Sequence, residues 1–101
     1  MTVRRVRFLA RAVSDLIEIG QYLSVEAPQA QERLLGAIVA AGESLGPHGE
    51  KGPVARDPIL ARKGYRSLRE GRYVLFYRLT PTTVRIHRVL HERRSWARLL
   101  R

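Results

Sequence analysis

Along the chain the spacing of apolar residues changes period from strand to helix and back to strand. In residues 3–8, Val6 and Phe8 alternate with Arg5 and Arg7, the period of a half-buried strand. From about Ala10 to Val25 the apolar positions Ala12, Leu16, Ile19 and Leu23 recur at offsets of four, three and four, one face of a helix, with Asp15 and Glu18 on the other side. Ala27-Pro28 breaks this helix. Pro28 is expected at the first position of a second helix, where a missing N–H has no partner to lose. The second helix carries Ala30, Leu34, Ala37, Ile38, Ala41 and Leu45 on its apolar stripe and ends at Gly46-Pro47. Two amphipathic helices joined by a short break form an antiparallel hairpin.

Residues 46–64, GPHGEKGPVARDPILARKG, hold four Gly and three Pro and are expected to form a loop with no regular element. The strand period then returns at Tyr65 to Arg69, Tyr73 to Leu79 and Thr83 to His91, separated by a tight Glu70-Gly71 turn and a turn at Pro81. The run YVLFY from Tyr73 is almost continuously apolar, which suits a central strand covered on both faces. Ser95 is placed to cap a short final helix whose Trp96, Leu99 and Leu100 would fold back on the core.

The order β-α-α-β-β-β with a helical tail implies an α+β fold in one domain, residues 1–101: an N-terminal strand, a helix hairpin packed on one face of a small antiparallel sheet, and a short C-terminal helix. The opposite sheet face is expected to be free for function. Strict alternation along the last strand puts Arg85, His87, Val89 and His91 on one face and Val84, Ile86, Arg88 and Leu90 on the other. Arg88 is anomalous there. Among apolar neighbours a guanidinium must snorkel to an edge, meet a buried carboxylate or point into a binding site.

Charge sharpens the picture. The net charge is +10, yet residues 63–101 hold eleven Lys/Arg against two acids, so nearly all the excess lies in the C-terminal strands. A basic surface of this kind attracts polyanions or an acidic protein partner. With no cysteine, a disulfide framework, a thiolate zinc site and a Cys nucleophile are excluded. The N-terminus has no sustained apolar run, so neither a signal peptide nor a membrane span is read there and a cytoplasmic location is expected. His87 and His91 are four apart, but on a strand that is about 13 Å, too far for one metal ion. The serines carry no hydrolase motif and the glycines no phosphate-binding pattern, so neither a metal nor a cofactor is expected.

Three phrases in order carry a further likeness: AxxDLxxIxxYL (Ala12, Asp15, Leu16, Ile19, Tyr22, Leu23), the hairpin YRSLREGRYVLFYR, and VRIHRVLHERRSW. With these the chain resembles the RelE/ParE superfamily of type II toxin–antitoxin toxins, and more closely its ParE-like branch. The resemblance implies growth arrest by one of two routes, poisoning of DNA gyrase or metal-independent, ribosome-dependent cleavage of mRNA, and neutralisation by a cognate antitoxin. Whether the chain is an enzyme depends on the route. Alignment with RelE-type sequences places Val74, Glu92 and Arg98 where those ribonucleases carry Arg, Arg and Tyr, leaving Arg66 as a surviving basic residue. This favours the gyrase route. It makes Arg66, Arg88, His91, Arg93 and Arg94 the expected target-binding residues, with Arg66, Arg88 and His91 as the catalytic set if the chain is a ribonuclease instead. The resemblance also implies that the antitoxin docks on the helix hairpin at Leu16, Tyr22, Leu34 and Ile38, through a segment with acidic residues and apolar anchors. A basic module binding nucleic acid directly accounts for the charge but not for the helix hairpin.

Overall fold

The computed structural model describes residues 3–94 and 96–100. Strand β1 is Arg5–Phe8, followed by α1 at Ala10–Glu26 and α2 at Gln31–Glu43. A short 3-10 turn at Gly49–Lys51 and helix α3 at Pro58–Arg62 precede β2 (Arg66–Glu70), β3 (Tyr73–Leu79), β4 (Thr83–His91) and α4 (Trp96–Leu100). The expected cap at Ser95 lies outside the described residues. Among the described residues no helix is long and apolar enough to cross a membrane.

The four strands form one sheet in the order β1-β4-β3-β2. β2, β3 and β4 make the expected antiparallel meander, while β1 joins β4 in parallel, so the sheet is mixed. β3 lies inside the sheet, and Val74, Leu75, Phe76 and Tyr77 are all buried, as its unbroken apolar run requires. Glu70 pairs with Tyr73, leaving Gly71 and Arg72 as a two-residue turn. Gly71 takes φ +60°, a conformation open to glycine at no steric cost.

Two layers cover the sheet. On the hairpin side Ala12 and Ile38 pack with Leu45, Leu75, Tyr77, Val84, Ile86 and Val89. On the other side Ala55, Leu60, Tyr65, Val74, Phe76 and Leu90 form a second cluster, closed by Trp96, Leu99 and Leu100. The expectation of a free second face is therefore corrected: residues 53–65 and α4 cover its half nearest Val74 and Phe76. The loop that hides this cover is more regular than its composition suggests, because Asp57 Oδ1 accepts from the N–H groups of Ile59 and Leu60 and so starts α3 at Pro58.

Three further expectations change. Pro28 lies in the turn before α2, which begins at Gln31, so it is not the first helical residue. Asp15 is buried at 5% exposure, not on the solvent side of α1, since three residues after Ala12 it still lies on the buried face. Alternation along β4 fails because the register shifts between Phe76 and Tyr77: Phe76 pairs with Arg88 and Tyr77 with Ile86, leaving His87 as a bulged extra residue. Val89 consequently joins Val84 and Ile86 in the hairpin-side core instead of sharing a face with Arg85.

Tyr77 ties the irregular segment to the sheet. Its hydroxyl donates to the Gly49 carbonyl at 2.7 Å and accepts from the Gly52 N–H at 2.9 Å. Gly52 has no room for a side chain, because a Cβ there would stand 2.6 Å from the Tyr77 oxygen.

Candidate functional site

β1 pairs with β4 only from Thr83 to Ile86, so among the described residues the stretch from His87 to His91 has no strand neighbour on the side away from β3. Helix α1 lies along this edge. Asp15 Oδ2 accepts the backbone N–H of Val89 at 2.9 Å, supplying the acceptor that a strand would have given. The same carboxylate grips Arg88 with two bonds, Nε to Oδ2 at 2.8 Å and an Nη to Oδ1 at 3.0 Å. Hydrogen bonding to Asp15 raises the Arg88 pKa further above its ordinary value.

Beyond this pair, α1 and the end of β4 form a groove of about 370 Å³ lined by Asp15, Glu18, Ile19, Tyr22, Tyr73, His91 and Arg94, among others. The Tyr73 ring meets His91 edge to face at 5.5 Å, and the Tyr73 hydroxyl pKa is raised, first by burial and then by Tyr22. His91 is fixed from the other side as well, since its Nδ1 accepts from the Arg93 N–H at 3.1 Å and its carbonyl accepts from the Trp96 indole at 3.0 Å. Arg93 and Arg94 are exposed where the chain leaves β4. This exit presents two guanidinium groups beside a set imidazole, an arrangement suited to gripping an anionic or carboxylate-bearing partner.

Of the five expected target-binding residues, His91, Arg93 and Arg94 come together at this exit. Arg88 is 7% exposed and committed to Asp15. Arg66 donates to the Gly52 carbonyl at 2.8 Å and sits opposite Tyr77, whereas His91 sits opposite Tyr73. Four residues of β3 separate those two rows, roughly 13 Å, so Arg66, Arg88 and His91 do not form one cluster.

The positions aligned with the RelE-type ribonuclease residues are occupied as follows. Val74 is 3% exposed within the second apolar cluster. Glu92 accepts from Arg69 at 2.9 Å. Arg98 is exposed on α4.

On the helix hairpin, Tyr22 is 60% exposed and Leu16 and Leu34 are half-buried, but Ile38, expected to touch an antitoxin, is 1% exposed in the core and offers no surface. Val13 and Ile17, which the sequence reading missed, are exposed and line a groove with Leu35 and Val39 between α1 and α2. They are four apart, apolar and off the core face, which is the signal that could have found them.

A family profile described as the ParE toxin of type II toxin–antitoxin system, parDE, matches residues 6–96. Toxin RelE3 of Caulobacter vibrioides is 34% identical over 89 residues, covering 88% of this chain and 95% of that protein. The toxin–antitoxin complex RelBE2 of Mycobacterium tuberculosis contains a chain 33% identical with a TM-score of 0.65, covering 90% of this chain and 93% of that one. The chromosomal ParDE system of P. aeruginosa matches with a TM-score of 0.74 at 18% identity, covering 88% and 96%, a likeness of fold.

Proposed function

The chain belongs to the ParE toxin family of type II toxin–antitoxin systems, within the RelE/ParE superfamily, and from that premise we propose that it poisons DNA gyrase and is held in check by a cognate antitoxin. The observation that carries the choice of target is Val74. The resemblance puts an arginine there in the ribonucleases, and here a buried valine sits in an apolar cluster. A phosphate or a developing oxyanion needs charged donors aimed at it, and an apolar cluster supplies none. Glu92, at the second aligned position, is an acid paired with Arg69 where a free positive charge would be wanted.

In this reading the exit of β4 is the gripping surface. His91, Arg93 and Arg94 act by binding, with no bond made or broken by the chain itself. The antitoxin covers the exposed apolar residues of the hairpin, Val13, Ile17 and Tyr22, with Leu16 and Leu34 beneath them. Arg88 holds α1 against β4 and so positions both surfaces.

Ribosome-dependent mRNA cleavage is the second reading, and what favours it is the sequence identity with relatives named RelE3 and RelBE2. Induced expression in a bacterial host separates the two. The gyrase reading expects growth arrest with a DNA-damage response and intact mRNA. Transcripts cut within codons, with no DNA-damage response, would transfer the assignment to the ribonuclease branch.

A further inference from the structure

The sheet face opposite the helix hairpin is covered only over part of its area, and the uncovered part carries a row of like charges. Arg7 of β1 is in register with Arg85 of β4, and Arg85 is in register with Arg78 of β3. All three point away from the hairpin, because their neighbours Phe8, Ile86 and Tyr77 pack into the hairpin-side core. With strands about 4.8 Å apart, three guanidinium-bearing residues stand across roughly 10 Å of sheet. Like charges directly opposite one another destabilise a sheet. None of the three belongs to an ion pair among the described residues, whose ion pairs are Arg4–Glu50, Arg69–Glu92 and Arg88–Asp15.

Arg78 is held in place without being neutralised. Its guanidinium lies 4.7 Å over the Tyr65 ring, and its Nε donates to His87 Nε2 at 3.2 Å. His87 in turn meets Tyr65 edge to face at 5.2 Å, and its pKa is lowered to about 4 by burial and then by Arg78 and Arg85, so at neutral pH it remains an uncharged acceptor. Both supports are neutral, as is the Lys63 carbonyl that accepts from an Arg78 Nη at 3.4 Å. The full charge of Arg78 stays available beside the exposed Arg85 and Arg7.

We propose that Arg7, Arg85 and Arg78 form a track for the phosphate backbone of double-stranded DNA, distinct from the β4 exit. Planar guanidinium groups match phosphate oxygens two at a time. A duplex presents one charge per about 1.7 Å of its axis, dense enough to meet three arginines at this spacing. An acidic peptide fits less well, since the residues flanking the row on the open half of the face, Arg5, Thr83 and His87, are polar and offer little for an apolar anchor. A single strand also fits less well, because Tyr65 is buried beneath Arg78 and unable to stack on a base. The track reads no sequence, because phosphates carry none. It does not depend on which enzyme is the target.

The test is fluorescence anisotropy of the full chain with a labelled mixed-sequence DNA duplex, with no topoisomerase present, at salt concentrations from about 50 to 200 mM. Each arginine removed should shallow the slope of log affinity against log salt by about 0.9, so Arg7→Gln with Arg85→Gln gives about 1.8 and the triple variant with Arg78→Gln about 2.7. Arg7 and Arg85 are exposed, so the double variant carries the test if the triple one does not fold. The charge-matched control, Arg33→Gln with Arg72→Gln on α2 and the β2–β3 turn, should leave the slope within a few tenths of the parent. An equal loss in the control would show net charge alone and overturn the track. So would the absence of duplex binding at the lowest salt, or stronger competition by a single-stranded RNA or a poly-glutamate peptide than by unlabelled duplex.

Discussion

Asp15 Oδ2 accepts at once from Arg88 Nε and from the backbone N–H of Val89, so one carboxylate closes the sheet edge and pins the only buried arginine among the described residues. Breaking such a pair by removing one partner leaves an uncompensated charge under apolar neighbours, at a cost of about 3–5 kcal/mol. Arg88→Ala and Asp15→Ala should each lose that much in denaturant unfolding. The double change Asp15→Ala with Arg88→Ala should cost clearly less than the two single changes added together, because it leaves neither charge buried without its partner. Additive losses would mean that the two groups do not act as a pair.

Tyr77 supports the chain before β2 through its hydroxyl. Tyr77→Phe keeps the packing but strands the Gly49 carbonyl and the Gly52 N–H, and should cost about 1–3 kcal/mol. Tyr77→Ala also opens a cavity and should cost about 3–5 kcal/mol, enough to unfold so small a domain and abolish toxicity with it. Thermal melting of the two variants checks the order. A native-like melt for Tyr77→Ala would move this residue from support to function.

His87 gives the fold a defined acid response. Its folded pKa of about 4 lies below the ordinary 6.5, so between those values the unfolded chain binds the proton that the folded one refuses. Stability from this group is therefore complete above pH 6.5 and declines as the pH falls to about 4. An NMR titration should place the His87 midpoint near 4, and Arg85→Gln should move it toward 6.5 by removing one of its causes. His87→Gln should flatten that part of the stability profile. An unshifted midpoint would contradict the close packing of Tyr65, His87 and Arg78.

Antitoxin docking on the hairpin is tested by Tyr22→Ala. As a 60% exposed aromatic it contributes little to folding, whereas a central aromatic contact in an interface is often worth about 2 kcal/mol, a loss of roughly thirtyfold in affinity. Calorimetry with the protein of the neighbouring reading frame should show that loss with an unchanged melt for the toxin. Full affinity in Tyr22→Ala would place the antitoxin elsewhere.

Much of this architecture is legible in residue order. The β3 and β4 boundaries follow directly from their apolar runs, and α1 ends within one residue of its periodic stretch. The bulge at His87 was not legible, because alternation assumes an unbroken register and nothing local marks an extra residue. α3 was hidden by its Gly/Pro-rich surroundings, although Asp57-Pro58 is a sound start for a helix. Arg88 alone was out of place on an apolar face, because the helical period as read puts Asp15 beside Glu18 on the solvent side. A buried carboxylate was one of the options open to Arg88, and the structure identifies it as Asp15. The β4 exit was legible in part, with His91, Arg93 and Arg94 adjacent in the chain, while Arg66 was displaced by a fold-level contact to Gly52.

Gyrase poisoning is tested with purified DNA gyrase and the purified chain in a supercoiling assay. Supercoiling should be lost and cleaved, gyrase-linked DNA should accumulate. Arg93→Ala with Arg94→Ala should weaken this at least tenfold while the melt stays within about 0.5 kcal/mol of the parent, since exposed charges contribute little to stability. Unimpaired supercoiling by gyrase in the presence of a folded chain that still arrests growth would contradict gyrase poisoning.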